Sequence, residues 1–153
     1  MSEKSNQISR PTAVIADANF YVGPELARQL AGRGFNLVLG GAKPELVDEL
    51  TASGTLVEVV SGVRDLADPT ASDKLLEAAM TRFGRIDSAV MFSGEIITGR
   101  FVHSELEQLR SVLVGCIEAP YNFMRAVVPP SRCIQLQKKC TAMLLGLSLA
   151  TRR

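Results

Sequence analysis

Histidine is nearly absent from this chain. His103 is the only one, with no Ser or Asp pattern around it, so neither a Ser-His-Asp hydrolase nor a histidine-rich metal site is indicated. Its place just before a helix start predicts an exposed side chain. The three cysteines, Cys116, Cys133 and Cys140, have no CxxC or zinc-like spacing, which removes a redox motif and leaves reduced thiols in a cytoplasm as the expectation. The polar opening MSEKSNQISR lacks the pattern of a signal peptide. Long apolar runs are missing too. The longest late run, Ala142 to Ala150, is far too short to span a bilayer, so no membrane partner is expected. A net charge of +1 supplies no basic field for nucleic acid. The charge is nevertheless uneven: no Asp or Glu lies beyond Glu118, whereas Arg125, Arg132, Lys138, Lys139, Arg152 and Arg153 do. A basic end could touch an anionic partner, but scattered solvated charges are the preferred reading.

What remains is a globular composition. With 46% hydrophobic and 22% charged residues over 153 positions, the chain fits one domain with a sizeable core. Residues 1–11 read as a mobile leader, and 12–153 as a single domain. The stretch from Thr12 to Gly40 organises the rest. An apolar run (Ala13, Val14, Ile15, Ala16) stops at Asp17-Ala18-Asn19. Gly23-Pro24-Glu25 opens a helix: proline has no N–H to leave unpaired there, and an early glutamate suits the positive helix end. Leu26, Ala27, Leu30 and Ala31 recur at helical spacing, Gly32-Arg33-Gly34 ends the helix, and Asn36 to Leu39 is a second strand. This is a βαβ unit, whose helix N-terminus commonly holds phosphate.

The alternation continues. Pro44 to Leu50 starts a helix that Gly54 ends, and Leu56 to Val60 is a nearly all-apolar third strand, as expected when both sheet faces are covered. Pro69 leads a helix through Leu75, Leu76, Ala79 and Met80 to Phe83-Gly84, and Ile86 to Phe92 is a fourth strand. Ser104 is the expected cap of a long helix, with Glu107 completing a capping box. Leu106, Leu109, Val112, Leu113, Cys116 and Ile117 form its apolar face, and the helix runs on past Pro120 to Val127. A fifth strand is placed at 142–147. Strands alternating with helices predict an α/β fold with a parallel sheet between two helix layers.

Phe83-Gly84-Arg85-Ile86-Asp87, followed by a strand and Ser93-Gly94, resembles the FGRID…NNAG stretch of the short-chain dehydrogenases/reductases. The first βαβ unit, the long helix after the fourth strand and the Met143 to Ser148 segment fit the same family. The resemblance covers residues 11–151. It implies a Rossmann-like three-layer α/β/α fold with strands one to five in the order 3-2-1-4-5, incomplete relative to the family and truncated at the C-terminus. It also implies an NAD(P)-dependent oxidoreductase using a Ser-Tyr-Lys group helped by an Asn.

Carried over residue by residue, the glycine-rich turn T-G-x-x-x-G-x-G falls on Ala16 to Gly23, where only Gly23 keeps the family's glycine. Asp17 tolerates an unusual backbone angle, but its carboxylate repels pyrophosphate. At about 5 Å and an effective dielectric near 20 this is roughly 3 kcal/mol, about a hundredfold in affinity. Tyr21 and Val22 stand where backbone should approach the ligand, and Asn19 remains as a phosphate donor. A weakened cofactor site and a surface turn that holds nothing both stay open. After the second strand no acid is placed to grip a ribose hydroxyl; Lys43 reads first as a solvated helix-start lysine, but it would favour a 2′-phosphate, so NADP is expected ahead of NAD if either binds, with binding weak or lost. The family's adenine-contacting pair becomes Gly62-Val63, and NNAG becomes Met91-Phe92-Ser93-Gly94.

Among catalytic positions, the helical Asn falls on Cys116, a packing residue, and Ser148 is the one position retained. Four residues after Tyr21 stands Glu25, and four after Tyr121 stands Arg125, so this sequence holds no Tyr-x-x-x-Lys pair to exchange a proton near neutral pH. The chain alone is expected to be inactive, a pseudoenzyme by chemistry. The alternative is a non-catalytic interaction or regulatory module that no longer binds dinucleotide. In the resembled family the helix 104–127 builds a dimer interface, and a homo-oligomer through it is expected.

Overall fold

The fold is taken from a computed structural model, which describes residues 10–63, 66–92, 101–128 and 141–145; of Phe101 and of 141–145 only the backbone is described. The elements are β1 (Thr12–Ile15), α1 (Gly23–Gly32), β2 (Asn36–Gly40), α2 (Pro44–Ala52), β3 (Val57–Val60), α3 (Pro69–Phe83), β4 (Ser88–Phe92), a 3₁₀ turn (Phe101–His103), α4 (Leu106–Leu113), a π-helical turn (Val114–Glu118), α5 (Ala119–Val127) and β5 (Thr141–Leu145). The strands are parallel in the order β3-β2-β1-β4, with the β5 backbone alongside β4. This is the Rossmann-like α/β arrangement.

Period-two alternation along the central strands sorts their side chains between two cores. Ala13, Ile15, Leu37 and Leu39 pack with Ala27 and Leu30 of α1 and Leu46 and Leu50 of α2. Val14, Ala16 and Val38 face the other way, onto Leu75, Leu76, Ala79 and Phe83 of α3 and Phe123 and Val127 of α5. Helices therefore cover both faces of β1 and β2, which are buried at every position.

The FGRID residues account physically for one corner of this fold. Phe83 and Ile86 are buried in the core, and Gly84 ends α3 in the left-handed conformation, its N–H donating to the Met80 carbonyl at 3.0 Å. Asp87 accepts from the Thr12 N–H at 2.8 Å and from Arg85 Nε at 2.7 Å, tying the start of β1 to the segment before β4. The Asp87 carboxylate in turn raises the Arg85 pKa, mainly through that side-chain hydrogen bond.

Three expectations need correction. β3 is only partly buried and exposes Val59, because the strand lies at the edge of the sheet; its apolar composition overstated its cover. The box before α4 sits one residue later than Ser104–Glu107: Glu105 is the N-cap, and its N–H donates to Gln108 Oε1 at 3.0 Å. The long helix is not uniform either. It passes through the π-helical turn just before Pro120, where the missing proline N–H breaks the regular ladder, and the Ala119 N–H reaches back to the Val114 carbonyl.

Candidate functional site

The candidate site is the C-terminal edge of β1, β2 and β3, where ligands of open α/β sheets bind. Two glycines let its walls close together. A Cβ on Gly23 would lie 2.7 Å from the Asp17 carbonyl oxygen and 2.9 Å from that of Ala18, so only glycine lets α1 start this close to the turn. Gly40, at the end of β2, has even less room: a Cβ there would overlap the Ala16 carbonyl and meet Val63 Cγ2 at 3.1 Å. Sequence reasoning singled out Gly23 but not Gly40.

The turn itself forms without its other glycines. Tyr21, not Asp17, takes the left-handed conformation, with φ of 48°, the only non-glycine at positive φ among the described residues. Its side chain is 84% exposed, so the ring goes outward and recovers little by burial. Phe20 lies between two aromatic neighbours, its ring centroid 6.4 Å from that of Tyr21 and 6.5 Å from that of Phe92. Val22 is the N-cap of α1 and makes no side-chain cap.

Asp17 does something more specific than add charge. Its Oδ1 accepts from the Asn19 N–H at 3.0 Å and from the Phe20 N–H at 3.1 Å. An Asx-type turn of this kind satisfies backbone donors that a phosphate oxygen would otherwise take. The Asp17 carboxylate thus already occupies two backbone donors of the turn.

Asn19, expected as a phosphate donor, has both ends of its amide engaged within the chain. Its Nδ2 donates to the Gly41 carbonyl and its Oδ1 accepts from the Lys43 N–H at 3.0 Å, so the amide bridges two loops. Lys43 is the exposed N-cap of α2, and among the described residues no acid pairs with its ammonium. Gly62 follows β3 with φ of 74° in open space, while Val63 is 3% exposed and belongs to the core. Ser93, Gly94 and Ser148 lie outside the described residues. Cys116 is half-buried in the π-helical turn. His103 is exposed. No group of three His, Cys, Asp or Glu able to hold a metal occurs among the described residues, and no helix there is long and apolar enough to cross a membrane.

No protein-family model matches the chain. Individual proteins do. Oxidoreductase UcpA of Escherichia coli K12 is 30% identical over 126 residues, which are 80% of this chain and 47% of that protein. A 3-oxoacyl-[acyl-carrier protein] reductase from Brucella melitensis is 25% identical, with a TM-score of 0.69 over 78% of this chain and 49% of its own. A variant actinorhodin polyketide ketoreductase solved with NADPH superposes with a TM-score of 0.75 over 88% of this chain and 53% of its own, at 17% identity, a likeness of fold alone. The chain spans about half the length of the curated relatives it matches.

Proposed function

Since the chain belongs to the short-chain dehydrogenase/reductase family, we propose that it is the nucleotide-facing part of an NAD(P)-linked oxidoreductase in which the hold on the dinucleotide is weakened. The observation that carries this reading is the Asp17 carboxylate on the Asn19 and Phe20 N–H groups. An incoming pyrophosphate must displace a resident anion and then sit beside it. Roughly 3 kcal/mol of repulsion at about 5 Å in an effective dielectric near 20 lowers affinity about a hundredfold. Ser148 is the position of this sequence that matches the family's serine. Lys43, with no acid pairing its ammonium among the described residues, supports NADP over NAD in whatever binding remains. The cytoplasm is the proposed location.

Titration of the chain with NADPH and NADH, followed by melting temperature, tests the reading. The expected result is binding weaker than micromolar, with NADPH ahead of NADH. Tight micromolar binding of either would contradict it, and silence at millimolar concentration would leave only the second reading.

That second reading is an interaction module, and one surface favours it. Every described residue of α4 is at least partly exposed: Leu106 is 62% exposed and Leu109 50%, with Ile117 of the following turn at 60%. Apolar side chains in one exposed stripe mark a contact surface. We propose self-association through the helix 104–127, with no nucleic acid or membrane as partner. Sedimentation of the wild type against Leu109→Asp tests it: a wild-type dimer and a variant monomer are expected, and a wild-type monomer at high concentration would sink the idea.

A further inference from the structure

The Asn19 side chain joins two loops of the candidate site. Its amide uses both ends at once, donating to Gly41 and accepting from Lys43. Only an amide offers a donor and an acceptor on one planar group of this size; aspartate lacks the donor and alanine lacks both. The bond to Lys43 is also a helix cap supplied from another loop. The Lys43 N–H is one of the first donors of α2, and Lys43 makes no side-chain cap of its own. Asn19 thereby fixes the backbone from which the Lys43 side chain springs, beside a helix N-terminus whose dipole favours an anion.

We propose that Asn19 is a positioning residue: by holding Gly41 and Lys43 it sets the grip of Lys43 on a phosphate monoester at the ribose 2′ oxygen of an adenine nucleotide. The proposal rests on the cofactor reading above, yet it can fail separately. A lysine on a flexible stem holds phosphate as a point charge, so its contribution depends on how firmly its backbone is placed. The pyrophosphate end, where Asp17 interferes, plays no part in this. Adenosine 2′,5′-bisphosphate and 5′-AMP share the 5′-phosphate, so the Asp17 repulsion cancels in their ratio and the 2′-phosphate alone remains.

The test measures dissociation constants for these two ligands on the wild type, Asn19→Ala, Lys43→Ala and the double variant. The wild type is expected to prefer the bisphosphate about tenfold, the scale of one charge-assisted contact. Lys43→Ala abolishes that preference. Asn19→Ala cuts it to about twofold while leaving 5′-AMP binding unchanged, and the double variant matches Lys43→Ala because the two act as one unit. Amide exchange at Lys43 quickens in Asn19→Ala while the β1 and β2 amides hold, which separates positioning from loss of fold. The proposal is overturned if Asn19→Ala keeps the full preference, or if it weakens both ligands alike. A wild type that binds NADH but shows no 2′-phosphate preference overturns this inference alone. A wild type that binds none of these nucleotides at millimolar concentration overturns it together with the cofactor reading.

Discussion

The turn between β1 and α1 has a packing side and a ligand side, and they meet different demands. On the packing side, Gly23 and, across from it, Gly40 leave no room for a methyl group against neighbouring backbone. On the ligand side, Asp17 and Tyr21 stand where the resembled family has glycines, and the turn still closes. Packing glycines are fixed by contacts within the chain, so their loss is felt whether or not a ligand binds. Ligand-side glycines matter only when something must approach. The fold can therefore keep its shape while the site loses its grip, and a shape match cannot measure cofactor affinity.

The sharpest way to break this comparison is Gly40→Ala. Overlap with the Ala16 carbonyl should cost about 3 kcal/mol by forcing β1 and β2 apart, a fall of roughly 10 °C in melting temperature for a chain of this size. A variant as stable as wild type would show that the two sides do not differ. Gly23→Ala should cost about 2 kcal/mol, since two carbonyl oxygens must shift, and denaturant unfolding will read the loss. In contrast, Tyr21→Gly should stabilise the fold by about 0.5–1 kcal/mol, because relief of left-handed strain exceeds the extra entropy of an unfolded glycine.

The smallest effect concerns Asp68, which caps α3 by accepting from the Thr70 N–H at 2.9 Å and from its hydroxyl at 2.8 Å. These bonds, the backbone one first, hold the Asp68 carboxyl below its ordinary range. The stability it adds is present above the unfolded aspartate pKa of about 3.9 and is lost as pH falls through the lowered folded value. Wild-type and Asp68→Asn stability curves should thus separate slightly above that pH and converge in acid. Parallel curves would remove the cap from the account.

The strands and helices were legible because their signals are local. Prolines at the first turns of α1, α2 and α3 and alternation through β1 and β2 each report on a few neighbouring residues. The edge character of β3 was not legible, since exposure there depends on what lies beside the strand rather than on its own composition. The same limit hid the site. Asp17 could be recognised as the wrong charge, but its capture of the Asn19 and Phe20 N–H groups depends on how the turn folds. Asn19 reaches Lys43 across 24 positions of sequence, a bond that no spacing rule anticipates.

The central claim is that a resident carboxylate, rather than a missing element of the fold, weakens dinucleotide binding. NADPH isotherms on wild type, Asp17→Gly and Asp17→Asn, measured side by side, test it most directly. Both variants remove the charge, and the glycine also frees the two N–H groups. The account predicts affinity rising about a hundredfold in Asp17→Gly and by less in Asp17→Asn, whose side-chain oxygen still occupies the donors. Unchanged affinity in both variants would contradict it.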